Sequence, residues 1–216
     1  MKICAISDTH SLHESVVVPE SDVLICSGDI SYKGEPDIVN SFISWFGKQK
    51  AQYKILIFGN HEVGYSNHLH KKFVLSQKLI KQNNIIYLQN SEVVIDNFKF
   101  YGSPATPYFY GWEWNYHRGP DISKIWDKIP LDTDVLITHG PAYSILDYVP
   151  VANNRDPHQG CKDLLNKISN LNLKAHICGH IHGSYGKIIK NETIFINACI
   201  CDESYKATNA PIIFEI

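Results

Sequence analysis

Short apolar runs rich in Ile, Val, Leu and Phe recur along the chain. They predict strands at residues 2–7, 22–27, 54–58, 85–88, 92–95, 98–102, 134–138, 174–178, 185–190, 193–197 and 211–215. The early runs are apolar at every position, as in strands covered on both faces. Segments with helical spacing lie between them. Residues 36–49 open with Pro36 and bring Ile38, Phe42, Trp45 and Phe46 to helical spacing. Segments 67–82 and 159–170 predict further helices, and 121–127 a shorter one. Strands alternating with helices argue for an α/β layered fold. The second half leans toward antiparallel pairing, because IIK-NE-TIF at 188–195 reads as a tight hairpin around Asn191.

One stretch breaks the pattern. Residues 103–120, SPATPYFYGWEWNYHRGP, have no clear period and carry Tyr108, Phe109, Tyr110, Trp112, Trp114 and Tyr116 between prolines and glycines. A loop this long and this aromatic is either packed on the domain surface or a wall of a substrate site.

The 216 residues, with no repeat or linker, predict a single domain spanning 1–216. Composition is ordinary, with 44% hydrophobic residues, 19% charged and a formal net charge of −2. That balance offers no basic footprint for duplex nucleic acid. No apolar stretch approaches the roughly 20 residues that span a bilayer, so no membrane partner is expected. MKICAIS runs straight into the first polar cluster, which leaves no room for a signal peptide and sets a cytoplasmic location as the expectation. Six cysteines show no zinc-site spacing; Cys4, Cys26 and Cys178 lie within apolar runs and read as core residues.

Five polar clusters close five of the strand signals: SDTH with Asp8 and His10, SGD with Asp29, FGNHE with Asn60 and His61, ITHG with His139, and CGHIH with His180 and His182. Asp8 and His10 are two apart, as are His180 and His182. In extended backbone each pair would point to one side and share an ion. Carboxylate, carboxamide and imidazole make an oxygen and nitrogen set suited to manganese, iron, zinc or nickel. Seven such groups exceed the three protein ligands of a single catalytic zinc, which favours two metals held roughly 3.5–4 Å apart by a bridging carboxylate. Asp29 is the natural bridge. Two cations so placed activate a water and neutralise phosphate oxygens. Any one of these residues alone would read as a turn or a cap; five strand ends together do not.

In this order, SDTH, GD, GNHE, H-G and GHIH resemble the calcineurin-like metallophosphoesterase superfamily across Asp8 to His182. The resemblance implies a four-layer α-β-β-α sandwich, with two mixed sheets flanked by helices. It implies one metal on Asp8, His10, Asp29 and His182, and another on Asp29, Asn60, His139 and His180. It makes His61 the catalytic residue that stabilises the phosphate and protonates the leaving oxygen, a task suited to imidazole at neutral pH. The alternative for His61 is a structural histidine bonded to a backbone carbonyl.

Further segments, GSPATPYFYGWEWNYHRG, HGPA, HQGCKDLLNKI, GHIHGSYG and NACICDESYKATNAPIIFEI, are similar to the metallophosphoesterase-domain-containing (brain 239-type) subfamily of cyclic nucleotide phosphodiesterases. Two departures matter. Many superfamily members read GDxxD, whereas Tyr32 stands at the second Asp position here. Some vertebrate members of the subfamily replace the last metal-binding histidine by glycine; this chain keeps His182, which implies an active enzyme.

The expected function is therefore metal-dependent hydrolysis of phosphodiesters of small nucleotides, with 2′,3′- or 3′,5′-cyclic nucleotides foremost. A metal-bridging hydroxide would attack phosphorus while His61 assists the leaving group. Two divalent metal ions are the expected cofactors, manganese first, with iron, zinc, nickel or cobalt as alternatives. A phosphomonoesterase or protein phosphatase on the same centre, or a non-catalytic nucleotide-binding scaffold, are the competing readings. His13, just past the first cluster, and Arg118, the cation of the aromatic loop, are candidate substrate contacts. Each has a plainer alternative: a solvent-exposed loop residue for His13, a bond that ties the loop down for Arg118.

Overall fold

The computed structural model of the chain describes residues 1–150 and 156–216. In chain order its strands and helices are β1 (Lys2–Ile6), β2 (Ser21–Cys26), α1 (Pro36–Gly47), β3 (Ala51–Leu56), α2 (Lys71–Gln82), β4 (Ile86–Tyr87), β5 (Ser91–Ile95), β6 (Phe98–Ser103), β7 (Thr106–Pro107), β8 (Asn115–Tyr116), α3 (Pro120–Trp126), β9 (Val135–Thr138), α4 (Lys162–Ile168), β10 (Ala175–Cys178), β11 (Gly186–Lys190), β12 (Thr193–Asn197) and β13 (Ile212–Glu215).

Two mixed sheets form, with strand orders β13-β1-β2-β3-β4 and β11-β12-β10-β9-β6-β5. The strands that carry the polar clusters pair in parallel, β1 with β2 and β2 with β3 in one sheet, β9 with β10 in the other. Antiparallel strands close three of the four edges, β13 beside β1, β11 beside β12 and β5 beside β6, and β4 lies parallel to β3 at the fourth.

Strand alternation explains the continuous apolar runs. Ile3, Ala5, Val23, Ile25, Ile55 and Ile57 of the first sheet face Phe100, Val135, Ile137, Ala175, Ile177 and Ile196 of the second in one core. The intervening residues Cys4, Ile6, Leu24, Cys26, Leu56 and Phe58 face outward onto Val39, Phe42, Ile43 and Phe46 of α1 and Phe73 and Ile80 of α2. On the far side Tyr101, Leu136 and Phe195 pack under Ile122, Ile125 and Trp126 of α3 and Leu164 and Ile168 of α4. Each such side chain contributes about 1.5–3 kcal/mol on leaving water, so neither face of these strands can be polar. The four layers expected from the resemblance are present.

Helix limits are tighter than periodicity suggests. The α2 segment starts at 71 because His70 is its cap, Nδ1 accepting from the Lys72 amide at 3.3 Å. Cys161 Sγ likewise accepts from the Leu164 amide and starts α4 at 162. Lys190 pairs with Thr193 across Asn191 (φ 49°) and Glu192 (φ 65°), the left-handed pair of a two-residue hairpin turn. Among the described residues no helix is long and apolar enough to cross a membrane.

Candidate metal centre

All five polar clusters lie beyond the C-terminal ends of parallel strands, β1, β2, β3, β9 and β10, where α/β sheets commonly place their sites. Residues 197–201 cross from the second sheet to the first beside them, with Cys199 bridging Ser7 and the Ile200 amide donating to Ser7 O at 2.8 Å. One edge of each sheet is thereby brought to the same place.

Strained backbone aims the side chains. Asp8, His10, Asp29 and His180 have φ of 51°, 38°, 51° and 68°. Left-handed conformations cost non-glycine residues roughly 1–2 kcal/mol each. Backbone bonds between the first two loops hold them, Asp8 N to Gly28 O at 2.9 Å and His10 N to Asp29 O at 3.1 Å. The backbone is not extended here, which corrects the reason expected for the i, i+2 pairs. Asp8 and His10 do fall together, but His180 and His182 part company.

Two groups result. Potential ligand atoms of Asp8, His10 and His182 lie within 4.8 Å of one another, as do those of Asp29, His139 and His180. In the first, His182 Nε2 is 3.2 Å from His10 Nε2 and 3.3 Å from Asp8 Oδ1. In the second, His139 Nε2 is 2.9 Å from Asn60 Oδ1 and 3.1 Å from Asp29 Oδ2. His61 joins the two, its ring 4.8 Å from that of His10 and its Nε2 3.9 Å from Asp29 Oδ2.

Backbone carbonyls fix the tautomers. His10 Nδ1 faces Ser31 O at 3.1 Å, His139 Nδ1 faces Ser27 O at 2.8 Å, His182 Nδ1 faces Asp202 O at 2.9 Å and His61 Nδ1 faces Tyr32 O at 2.6 Å. A carbonyl only accepts, so each Nδ1 must donate and each Nε2 is turned inward. His61 thus has the backbone bond foreseen as its structural alternative, and that bond leaves Nε2 free to give or take a proton. Asp8 Oδ2 accepts from the His180 amide at 2.9 Å and from Cys199 Sγ at 3.2 Å, while its buried Oδ1 has no hydrogen-bond partner. Inward-facing imidazole Nε2 atoms, the buried Asp8 Oδ1 with the His182 ring 3.3 Å away and the Asn60 carbonyl make a donor set that fits divalent cations.

Electrostatics agree. Burial raises the Asp8 and Asp29 carboxyls, but His182 and His139 overcome it at Asp8, and His139 and His61 at Asp29; both are held well below the usual range. Burial lowers His139 and His182, yet Asp29 and Asp8 respectively lift each to about 9. His10 and His180 are pushed down by burial to about 4 and about 3. Each group pairs an anion with one cationic and one neutral imidazole, leaving a position that a metal can take from a proton.

Glu62, unassigned from the sequence, organises the site. It is fully buried and accepts from the amides of Asp29 (3.1 Å), Ile30 (3.0 Å), Ser31 (3.1 Å) and Gly59 (2.8 Å), and from Ser31 Oγ (2.8 Å). Burial and then the Asp29 charge raise its pKa against those donors. The signal available was its place directly after Asn60 and His61 in a turn. Gly179 is equally constrained, since a Cβ there would collide with Asp8 Oδ2 and Ser7 Oγ.

Aromatic rings flank the centre. Trp112 stacks on His61 at 4.3 Å, and Phe109 meets His180 edge-on at 5.1 Å. The 103–120 loop is therefore a wall of the site, with Glu113 pinning it to the Gly64 amide at 2.7 Å. Tyr32 and Tyr205 lie against His10 on the other side, with ring centroids 5.5 and 4.8 Å away. Neither tyrosine was expected there; Tyr205 arrives on a turn whose backbone also carries the Asp202 carbonyl that holds His182.

Two residues expected to contact substrate have partners within the protein. His13 is 2% exposed, with Nε2 on Ser41 Oγ at 3.1 Å and its ring against Phe42 and Trp45 of α1. It is a packing residue of that helix rather than an exposed or substrate-facing one. Arg118 donates to Gly160 O at 2.8 Å and Gln159 O at 2.9 Å, the tie foreseen as its alternative. None of the six cysteines, all free and buried, belongs to either candidate group.

Comparison with known proteins agrees with this geometry. Metallophosphoesterase domain-containing protein 1 of Homo sapiens is 36% identical over 233 residues, spanning all of this chain and 71% of the human protein. A UPF0046 protein of Caenorhabditis elegans is 33% identical over 230 residues, spanning all of this chain and 81% of the worm protein. The crystal structure of the phosphopantetheinyl hydrolase of Mycobacterium tuberculosis has a TM-score of 0.61 at 13% identity, covering 98% of this chain and 95% of that one; at this identity the likeness is one of fold. Residues 1–184 match the family described as calcineurin-like phosphoesterase, and with whole-chain relatives above 30% identity the chain belongs to that family.

Proposed function

We propose that the chain acts as one domain, a dimetal phosphodiesterase of small nucleotides, with 2′,3′- or 3′,5′-cyclic nucleotides its best candidates. The observation that carries the reading is the convergence of His10 Nε2, His182 Nε2 and Asp8 Oδ1 beside His139 Nε2, Asn60 Oδ1 and Asp29 Oδ2. Asp8, His10 and His182 would hold one divalent cation and Asn60, His139 and His180 the other, with Asp29 serving both. Manganese is the first candidate for both positions; iron, zinc, nickel and cobalt suit the same donors. Such a pair supplies charge neutralisation for a phosphate and an activated water.

The chain's own contribution is orientation and proton transfer. Tyr32 O holds the His61 ring so that Nε2 faces the cluster, and Trp112 covers its flat side. From there Nε2 can protonate the ester oxygen that departs as the P–O bond breaks. Asp29 Oδ1 accepts from the His61 amide at 2.8 Å, which ties His61 to the carboxylate that would serve both cations. Comparing bis(p-nitrophenyl) phosphate with p-nitrophenyl phosphate on manganese-loaded protein tests the reading. Faster diester cleavage, lowered about 10²–10⁴-fold in His61→Ala, is expected. A strong monoester preference would remove the diester assignment, and no turnover of either by metal-loaded protein would remove the enzyme.

A further inference from the structure

A cleft of about 750 Å³ opens beside His180, within the size range of small-molecule sites. Its walls are Pro107, Tyr108, Phe109, Pro141, Val149 and Ile181, and Gly140 and His180 form its end at the metal centre. Arg118 is the one residue with a permanent charge among the described lining residues, and both its terminal nitrogens already donate to backbone carbonyls. Flat apolar surface is what the cleft offers.

Its aromatic wall is built in advance. Tyr108 stacks on His117 at 4.9 Å, so its ring is held although it is 54% exposed. Asn115 Oδ1 accepts from the amides of Phe109 (3.2 Å) and Trp112 (3.1 Å), while its Nδ2 donates to Thr106 Oγ1 at 2.8 Å. The Tyr108 amide donates to Tyr116 O at 2.8 Å. Rings fixed by backbone bonds lose little entropy when a ligand arrives.

We propose that this cleft seats a planar aromatic group carried on the phosphoester, with Tyr108 and Phe109 as its specificity-determining residues. The proposal rests on the phosphoesterase reading of the metal centre and adds the place where the organic part of the substrate lies. The phosphate would sit at the His180 end and the ring would run outward against Tyr108 and Phe109. Arg118 braces the floor by holding the Gln159 and Gly160 carbonyls.

Calorimetric titration of manganese-loaded protein with adenosine 5′-monophosphate and with ribose 5-phosphate isolates the ring, since the two differ only in the base. Stacking predicts a preference for the nucleotide of about tenfold or more. Tyr108→Ala, at an exposed position, and Phe109→Leu, which keeps an apolar side chain in the loop, should each reduce nucleotide affinity toward that of ribose 5-phosphate. Equal affinities in the wild type, or a preference that survives both substitutions, would overturn the assignment. Turnover of bis(p-nitrophenyl) phosphate by the same preparations separates the two ideas. Turnover without a base preference removes the cleft assignment alone; a base preference without turnover removes the diesterase reading and leaves the cleft as a nucleotide site; absence of both removes both.

Discussion

His10 and His182 face each other through Nε2 atoms 3.2 Å apart, with their Nδ1 atoms committed to the carbonyls of Ser31 and Asp202. Two lone pairs at that distance repel unless a proton or a cation stands between them or beside them. With Asp8 Oδ1 only 3.3 Å from His182 Nε2, the three residues form a candidate half-site that does not draw on His139 or His180.

Truncating one member should therefore empty one half only. His182→Ala is expected to lower bound manganese from about two to about one per chain, as read by elemental analysis after dialysis, with the fold retained. Loss of both metals, or of neither, would contradict the division into two groups.

Glu62 makes a different prediction. Its carboxylate receives five donors from the Asp29 and Gly59 turns, so it joins the loop carrying Asp29 to the loop carrying Asn60 and His61. Glu62→Gln turns an amide NH₂ toward backbone N–H groups and leaves at least one buried donor unpaired, at about 1–3 kcal/mol each. A fall in unfolding free energy of that order, together with weakened metal binding, is expected. Unchanged urea unfolding and unchanged metal content would show that the turns hold without it.

The sequence revealed the site's members more readily than its geometry. Ile3 to Ile6, Val23 to Cys26 and Ile55 to Phe58 are apolar at every position because both faces are covered, so the residue that ends each run stands out. Helix limits at His70 and Cys161 stayed hidden because a side chain capping one amide leaves no trace in periodicity. The partition of His180 from His182 was legible only through the family resemblance. Spacing alone assumed extended backbone, and His180 is left-handed at φ 68°. His13 could not be placed because direction out of a loop depends on what packs behind it, here Phe42 and Trp45. Tyr205 lies far along the chain and reaches His10 only because the chain recrosses between the sheets after β12.

Proton competition should govern metal loading. Without metal, Asp29 and Asp8 overcome burial to hold His139 and His182 up to about 9, so at neutral pH both imidazoles carry a proton that a cation must displace. Affinity should fall as pH is lowered from about 9, roughly tenfold per pH unit for each displaced proton. The linked stability has the opposite sense. A folded pKa above the unfolded value of about 6.5 stabilises the metal-free protein fully below pH 6.5, and the contribution fades as pH rises through about 9. Calorimetry in buffers of different ionisation enthalpy should report proton release on manganese binding at pH 7; no release would show these nitrogens already bare.

His176 offers an acid-sensitivity test away from the metals. It is 1% exposed in β10, and Nε2 lies 2.8 Å from Thr138 Oγ1, whose own hydroxyl donates to Gly140 O at 2.6 Å. Nε2 must therefore carry the ring's proton and donate. Burial pushes its pKa down to about 3, so the folded protein keeps it neutral while the unfolded chain protonates near 6.5. Stability attributable to this residue is complete above pH 6.5 and declines as pH falls toward 3, by about 1.4 kcal/mol per pH unit at most. His176→Gln keeps a donor for Thr138 without a titrating group. Urea unfolding of both proteins from pH 7 to 5 should show the wild type losing stability faster below pH 6.5, their difference steepening by about 1.4 kcal/mol per unit. A difference that stays constant with pH would mean that His176 takes up its proton within the folded protein.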